Sequence, residues 1–67
     1  MLALQVNGES TTIAAPMTVQ EFLEANNLLL PFMAVAHNGE VIHRSEYASI
    51  HLQDGDRLEI VRMVGGG

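Results

Sequence analysis

The sequence predicts a mixed α+β domain with one helix packed across a sheet. Three observations carry that prediction. Two Asn-Gly dipeptides, Asn7-Gly8 and Asn38-Gly39, each follow a strand-like run. Thr18 with Glu21 three positions later has the form of a capping box. A last strand-like run, Leu58-Glu59-Ile60-Val61-Arg62-Met63-Val64, follows a tight turn. With 67 residues there is room for one domain and a small core, and little room for an enclosed active site.

Taken in order, Leu2, Leu4 and Val6 alternate with Ala3 and Gln5, the period of a half-buried strand. Asn7-Gly8 is a favoured two-residue hairpin turn, so a second strand through about Thr11 to Ala14 pairs back. Pro16 stops that strand, and Thr18 opens a helix with Val19, Phe22 and Leu23 on one face. Asn26-Asn27 closes the helix, and Leu28-Leu29-Leu30-Pro31-Phe32 is expected to fill the core beneath it as a connector. A third strand from Met33 to His37 runs into Asn38-Gly39, with Val41 and Ile42 on the returning strand. Ser45 to Tyr47 reads as a short helical turn, and Asp54-Gly55-Asp56 as the turn before the last strand. There Leu58, Ile60 and Val64 share a face with Arg62, while Val61 and Met63 point the other way. Two readings fit apolar groups on both sides: a central strand buried on both faces, or an apolar docking patch beside the tail. The structural boundary falls at about Val64, giving a domain over 1–64 and a flexible glycine tail over 65–67.

Composition removes several function classes. Three Arg, no Lys and eight Asp plus Glu give a net charge of −5, which phosphate backbones and anionic lipid surfaces repel. An acidic surface suits a partner with a basic docking face, and equally suits plain solubility. Without Cys there is no disulfide framework, thiolate nucleophile or thiolate metal site, which fits a cytoplasmic protein. The first residues carry neither a basic region nor a long apolar run, so neither a signal peptide nor a membrane span is expected. His37, His43 and His51 match no zinc spacing, and Asp54 and Asp56 read as turn residues, since their loop lacks the run of oxygen ligands that calcium needs. No glycine loop opens a helix and no Lys reaches a phosphate, so ATP binding by this chain alone is not expected. No Ser, His and acid set points to a nucleophile with its base.

The remaining chemistry is at Gly65, Gly66 and Gly67, which follow the last strand. Glycine lacks a Cβ and reaches backbone angles closed to other residues, so this segment can thread a narrow cleft and deliver the Gly67 carboxylate to a reagent. The competing reading is a flexible linker or cloning scar. An α-carboxyl ionises with a pKa of about 3.3–3.7 and is a poor acyl donor until a partner transfers AMP to it. Mg²⁺ and fixed positive groups on that partner would stabilise the charge developing on phosphate. The acyl adenylate then accepts sulfur.

Several segments together resemble the ThiS family of sulfur carrier proteins, ubiquitin-like β-grasp domains of thiamine biosynthesis. They are Asn7-Gly8, Thr18-Val19-Gln20-Glu21-Phe22-Leu23, Val35-Ala36-His37-Asn38-Gly39-Glu40-Val41, and Asp54-Gly55-Asp56-Arg57-Leu58-Glu59-Ile60-Val61 before Val64-Gly65-Gly66-Gly67. The resemblance covers nearly the whole chain. It implies a mixed sheet of four to five strands, with the last strand central beside the first and the helix over one face. It implies that an E1-like adenylating enzyme, using ATP and Mg²⁺, activates Gly67. A sulfur donor system, drawing ultimately on cysteine, then forms a thiocarboxylate that thiazole synthase consumes. Carriers of this kind are co-substrates, bind no cofactor and need no thiol of their own. Gly66 and Gly67 correspond to the terminal Gly-Gly pair, with Gly65 extending the tail. Beside them, Val61, Met63 and Val64 are candidates for partner docking. Alternatives are the small subunit of molybdopterin synthase, a ubiquitin-like modifier, and a binding module that needs no free end.

Overall fold

The structure is a computed structural model and describes residues 1–62. Strand β1 (Leu2–Val6) turns through Asn7 and Gly8, both at positive φ (52° and 82°), into β2 (Glu9–Ile13). Positive φ at both central residues is what a two-residue hairpin of this hand requires, and Asn and Gly are the residues that adopt it at least cost. The second strand thus begins two residues before the sequence-based expectation and stops at Ile13, since the tight turn starts pairing at once.

Helix α1 (Val19–Ala25) is opened by a complete capping box. The Glu21 amide donates to Thr18 Oγ1 at 3.1 Å, and the Thr18 amide donates to Glu21 Oε1 at 2.8 Å. Two of the donors a helix start leaves without partners are thereby satisfied. The helix ends at Asn26, and Asn27 takes a positive φ of 57° that turns the chain back. Strand β3 (Met33–His37), the turn at Asn38 and Gly39, β4 (Glu40–Ile42), a single 3₁₀ turn (Arg44–Glu46) and β5 (Arg57–Arg62) complete the order.

The five strands form one sheet in the order β2-β1-β5-β3-β4. β1 and β5 run parallel, and every other pair is antiparallel. The last strand therefore lies at the centre, beside the first, as the resemblance implied. Leu4, Val35, Ile42 and Leu58 project from one sheet face and pack with Val19, Phe22 and Leu23 of the helix, joined by Ile13, Tyr47 and Leu52. Leu23, Val19 and Leu58 have no exposed surface.

The segment after the 3₁₀ turn is tied to the helix start. The Val19 amide donates to the Ile50 carbonyl at 2.9 Å, and the Leu52 amide donates to the Met17 carbonyl at 2.9 Å. The sheet's other face carries no helix among the described residues.

One expectation fails. Leu28 and Leu29 do pack against the core, but Phe32 is 71% exposed. The connector reaches β3 at Met33, whose side chain takes the inward place, and Phe32 one residue earlier falls outside. An apolar run cannot all face inward where a strand begins to alternate.

Candidate functional site

The candidate site is the exit of β5, the strand that leads to the glycines. Its pleat separates two kinds of residue. Leu58 and Ile60 lie on the helix side, buried and half-buried, while Arg57, Glu59 and Val61 are exposed on the open face. Val61 is 57% exposed and stands opposite Ala34 of β3, and Ala36 stands opposite the exposed Val41 of β4. Cross-strand partners share a face, so Val61, Ala34, Ala36 and Val41 form a shallow apolar area on the open face, bordered by the exposed Glu59 opposite Ala36. Burial of β5 on both faces is thus excluded for its described part. Met63, Val64, Gly65, Gly66 and Gly67, together with the expected boundary at Val64, lie outside the described residues.

Two asparagines hold β5 in register, one at each end. In a regular parallel ladder, the Gln5 amide donates to the Asp56 carbonyl and the Asn7 amide to the Leu58 carbonyl. Both bonds are present, at 3.0 and 2.9 Å. The next rung would join the Ile60 amide to the carbonyl of residue 7. The hairpin turns that carbonyl away, and the side-chain Oδ1 of Asn7 accepts from Ile60 in its place at 2.7 Å. The same substitution occurs at the entry of β5. There the Asn38 amide donates to the Arg57 carbonyl at 2.9 Å, and the Arg57 amide donates back to Asn38 Oδ1 at 2.8 Å. Turn preference alone accounts for Asn-Gly in sequence. The second use of each asparagine rests on which strand lies next to it, and sequence reasoning missed it.

The turn before β5 has its own polar cluster. His37 Nε2 donates to Asp56 Oδ2 at 2.8 Å, Asn38 Nδ2 donates to Asp56 Oδ1 at 3.1 Å, and the Gln53 amide donates to Asp56 Oδ2 at 2.9 Å. Partial burial pushes the Asp56 carboxyl pKa up. The hydrogen bonds from His37, Gln53 and Asn38, with the charge of His37, outweigh it and hold that pKa below its ordinary value. Asp54 Oδ1 accepts from the Ala3 amide at 2.7 Å, so both aspartates serve the turn, as expected from sequence. His37 is a structural partner of Asp56, and His43 and His51 are exposed. Among the described residues no group of three or more His, Cys, Asp or Glu side chains is placed to hold a metal ion. No described helix is long and apolar enough to cross a membrane.

Comparison with known proteins agrees with this geometry. The model of the ThiS family matches residues 4–67. The sulfur carrier protein ThiS of Bacillus subtilis is 35% identical over 65 residues, covering 96% of this chain and 98% of that protein. A thiazole synthase of Paramagnetospirillum magneticum is 39% identical over 66 residues, which are 98% of this chain and 20% of that protein. The chain thus spans about a fifth of the length of the first curated relatives it matches. A crystal structure of the thiamine biosynthesis protein (ThiS) of Geobacter metallireducens superposes with a TM-score of 0.86 at 32% identity, covering 98% of this chain and all of that one.

Proposed function

This chain belongs to the ThiS family, and on that premise we propose that it is a sulfur carrier of thiamine biosynthesis whose Gly67 carboxylate becomes a thiocarboxylate. The observation that carries the proposal is the family match to residue 67, which takes in Gly65, Gly66 and Gly67. A carboxylate oxygen of Gly67 attacks the α-phosphorus of ATP on an E1-like adenylating enzyme and displaces pyrophosphate. Hydrosulfide delivered by a donor system then attacks the acyl carbon, the bond from that carbon to the phosphate oxygen breaks, AMP leaves, and loss of the S–H proton gives the thiocarboxylate. The activating enzyme holds ATP and Mg²⁺. The carrier acts in the cytoplasm as a co-substrate, turned over by other enzymes, and binds neither nucleic acid nor membrane.

Two structural features support this division of labour. The buried core is filled by apolar side chains, with no buried polar or charged residue among those described, so the body supplies packing instead of reactive groups. The open sheet face ends in exposed apolar groups next to the strand exit, where a partner that grips the body also meets the tail. Gly65 and Gly66 give the threaded segment its low profile, and Val61, Met63 and Val64 contribute the contact beside it.

The test is transfer. Protein charged at Gly67 and mixed with thiazole synthase and its other substrates should yield the thiazole and return the carboxylate form. Absence of product with a demonstrably charged carrier would refute the assignment to thiazole formation. The docking role is tested with Val61→Glu, which places a charge on the apolar area without touching the core. Affinity for the activating enzyme is expected to fall roughly tenfold, the effect of losing about 1.4 kcal/mol, with little change in melting temperature. Unchanged affinity in the folded variant would remove Val61 from the contact.

A further inference from the structure

The Asn7 side chain sits where the body hands over to the reactive segment. β1 ends at Val6, whereas its parallel neighbour β5 continues to Arg62. On that side, the bond from the Ile60 amide to Asn7 Oδ1 is the rung beyond the last backbone one. Resting on the function proposed above, we infer that Asn7 is a positioning residue for the reaction of Gly67: its side-chain carbonyl holds the β1 side of β5 at Ile60 while β3 holds the other side through Arg62, and the two together set the direction in which β5 leaves the sheet.

Lever geometry gives the inference its size. Val61 and Arg62 remain paired with Ala34 and Met33 of β3, so the lever starts at Arg62, from which residues 63–67 reach at most about 17 Å if extended, as threading through a cleft requires. A change of about 10° in the exit direction would then move the far end by about 3 Å relative to a body held on its open face, and errors of about 1 Å at a reacting centre can cost a hundredfold. Part of that displacement is absorbed by the glycines, so a loss of roughly tenfold in turnover is expected. Asn7 touches no reacting atom and acts only through Ile60.

The molecule contains its own control. Asn38 performs the same carbonyl replacement on Arg57, at the end of β5 furthest from the glycines. Removing either side chain costs a hydrogen bond to the same strand, but only the one at the exit lies on the lever. Glycine is the suitable replacement, because both positions sit at positive φ, 52° and 51°, where alanine would add strain. Asp retains an acceptor oxygen and tolerates this conformation, so it serves as the rescue.

The experiment measures kcat and KM for thiocarboxylate formation by the activating system, with wild type, Asn7→Gly, Asn7→Asp and Asn38→Gly as carriers. Amide exchange at Ile60 is followed in the free proteins. Asn7→Gly should lower kcat roughly tenfold with KM nearly unchanged and expose the Ile60 amide, and Asn7→Asp should restore both. Asn38→Gly, which also loses the bond from Asn38 Nδ2 to Asp56, should lose at least as much melting temperature and keep its kcat. Equal kcat values for the two glycine variants, or no recovery with Asn7→Asp, would overturn the inference. A wild-type chain that is never charged would instead refute the function on which it rests.

Discussion

Deleting Gly67, or adding one alanine after it, is expected to reduce thiocarboxylate formation to less than about one-hundredth of wild type, because a reacting carboxyl moved by even about 1 Å can lose that much. Either change moves the carboxylate by about a residue's length, roughly 3.5 Å, relative to the partner that grips the body. Neither touches the described core, all of which lies before residue 63, so melting temperature and circular dichroism should match wild type. Mass spectrometry of the reaction mixtures reads the loss of charging. Normal charging of either variant would mean that the reactive group is elsewhere.

Leu23→Ala has the opposite profile and the largest expected effect on stability. Leu23 has no exposed surface and lies on the buried helix face, in the cluster that includes Leu4, Val35 and Leu58. Truncation of such a residue costs about 2–5 kcal/mol through lost burial and the cavity left behind. A domain of this length has a total stability of roughly 3–10 kcal/mol at typical values per residue. Thermal unfolding should therefore begin at least about 10 °C lower, and the variant should be partly unfolded at growth temperature. Phe32→Ala is the internal comparison. Removing a ring that is 71% exposed should change stability by less than about 0.5 kcal/mol, despite its greater size. A large loss at Phe32 together with a small one at Leu23 would contradict the arrangement of the core.

The contrast between these residues shows which features of the fold were legible in sequence. Asn7-Gly8, Asn38-Gly39 and the Thr18 and Glu21 capping box are decided within four or five residues, and each forms as expected. Alternation likewise put Leu2, Leu4 and Val6 on one face of β1 and Leu58 with Ile60 on one face of β5, as the core has them, since a strand has only two faces.

The partners of the strands were less legible. The parallel pairing of β1 with β5 joins segments about fifty residues apart, and nothing local to either encodes it; that placement came from the family resemblance. The contact between His37 and Asp56, and the second role of each asparagine, follow from the same long-range pairing. Phe32 was misplaced because apolarity alone does not reveal where a connector enters the alternation of its strand. For the candidate site, sequence put Val61 on the face opposite Leu58, while the chemistry proposed for the glycines falls outside the described residues. The structure adds Ala34, Ala36 and Val41 beside Val61 on the open face and the two asparagines that bond its strand.

If Gly67 is the sulfur-bearing end of a carrier charged by another enzyme, intact-protein mass spectrometry after incubation with an adenylating enzyme, ATP, Mg²⁺ and a sulfur source should show a mass increase equal to exchange of one oxygen for sulfur. The increase should depend on ATP and be confined on fragmentation to the piece containing Gly67. An unchanged mass with an enzyme that charges another ThiS carrier under the same conditions, or sulfur found on any other residue, would contradict it.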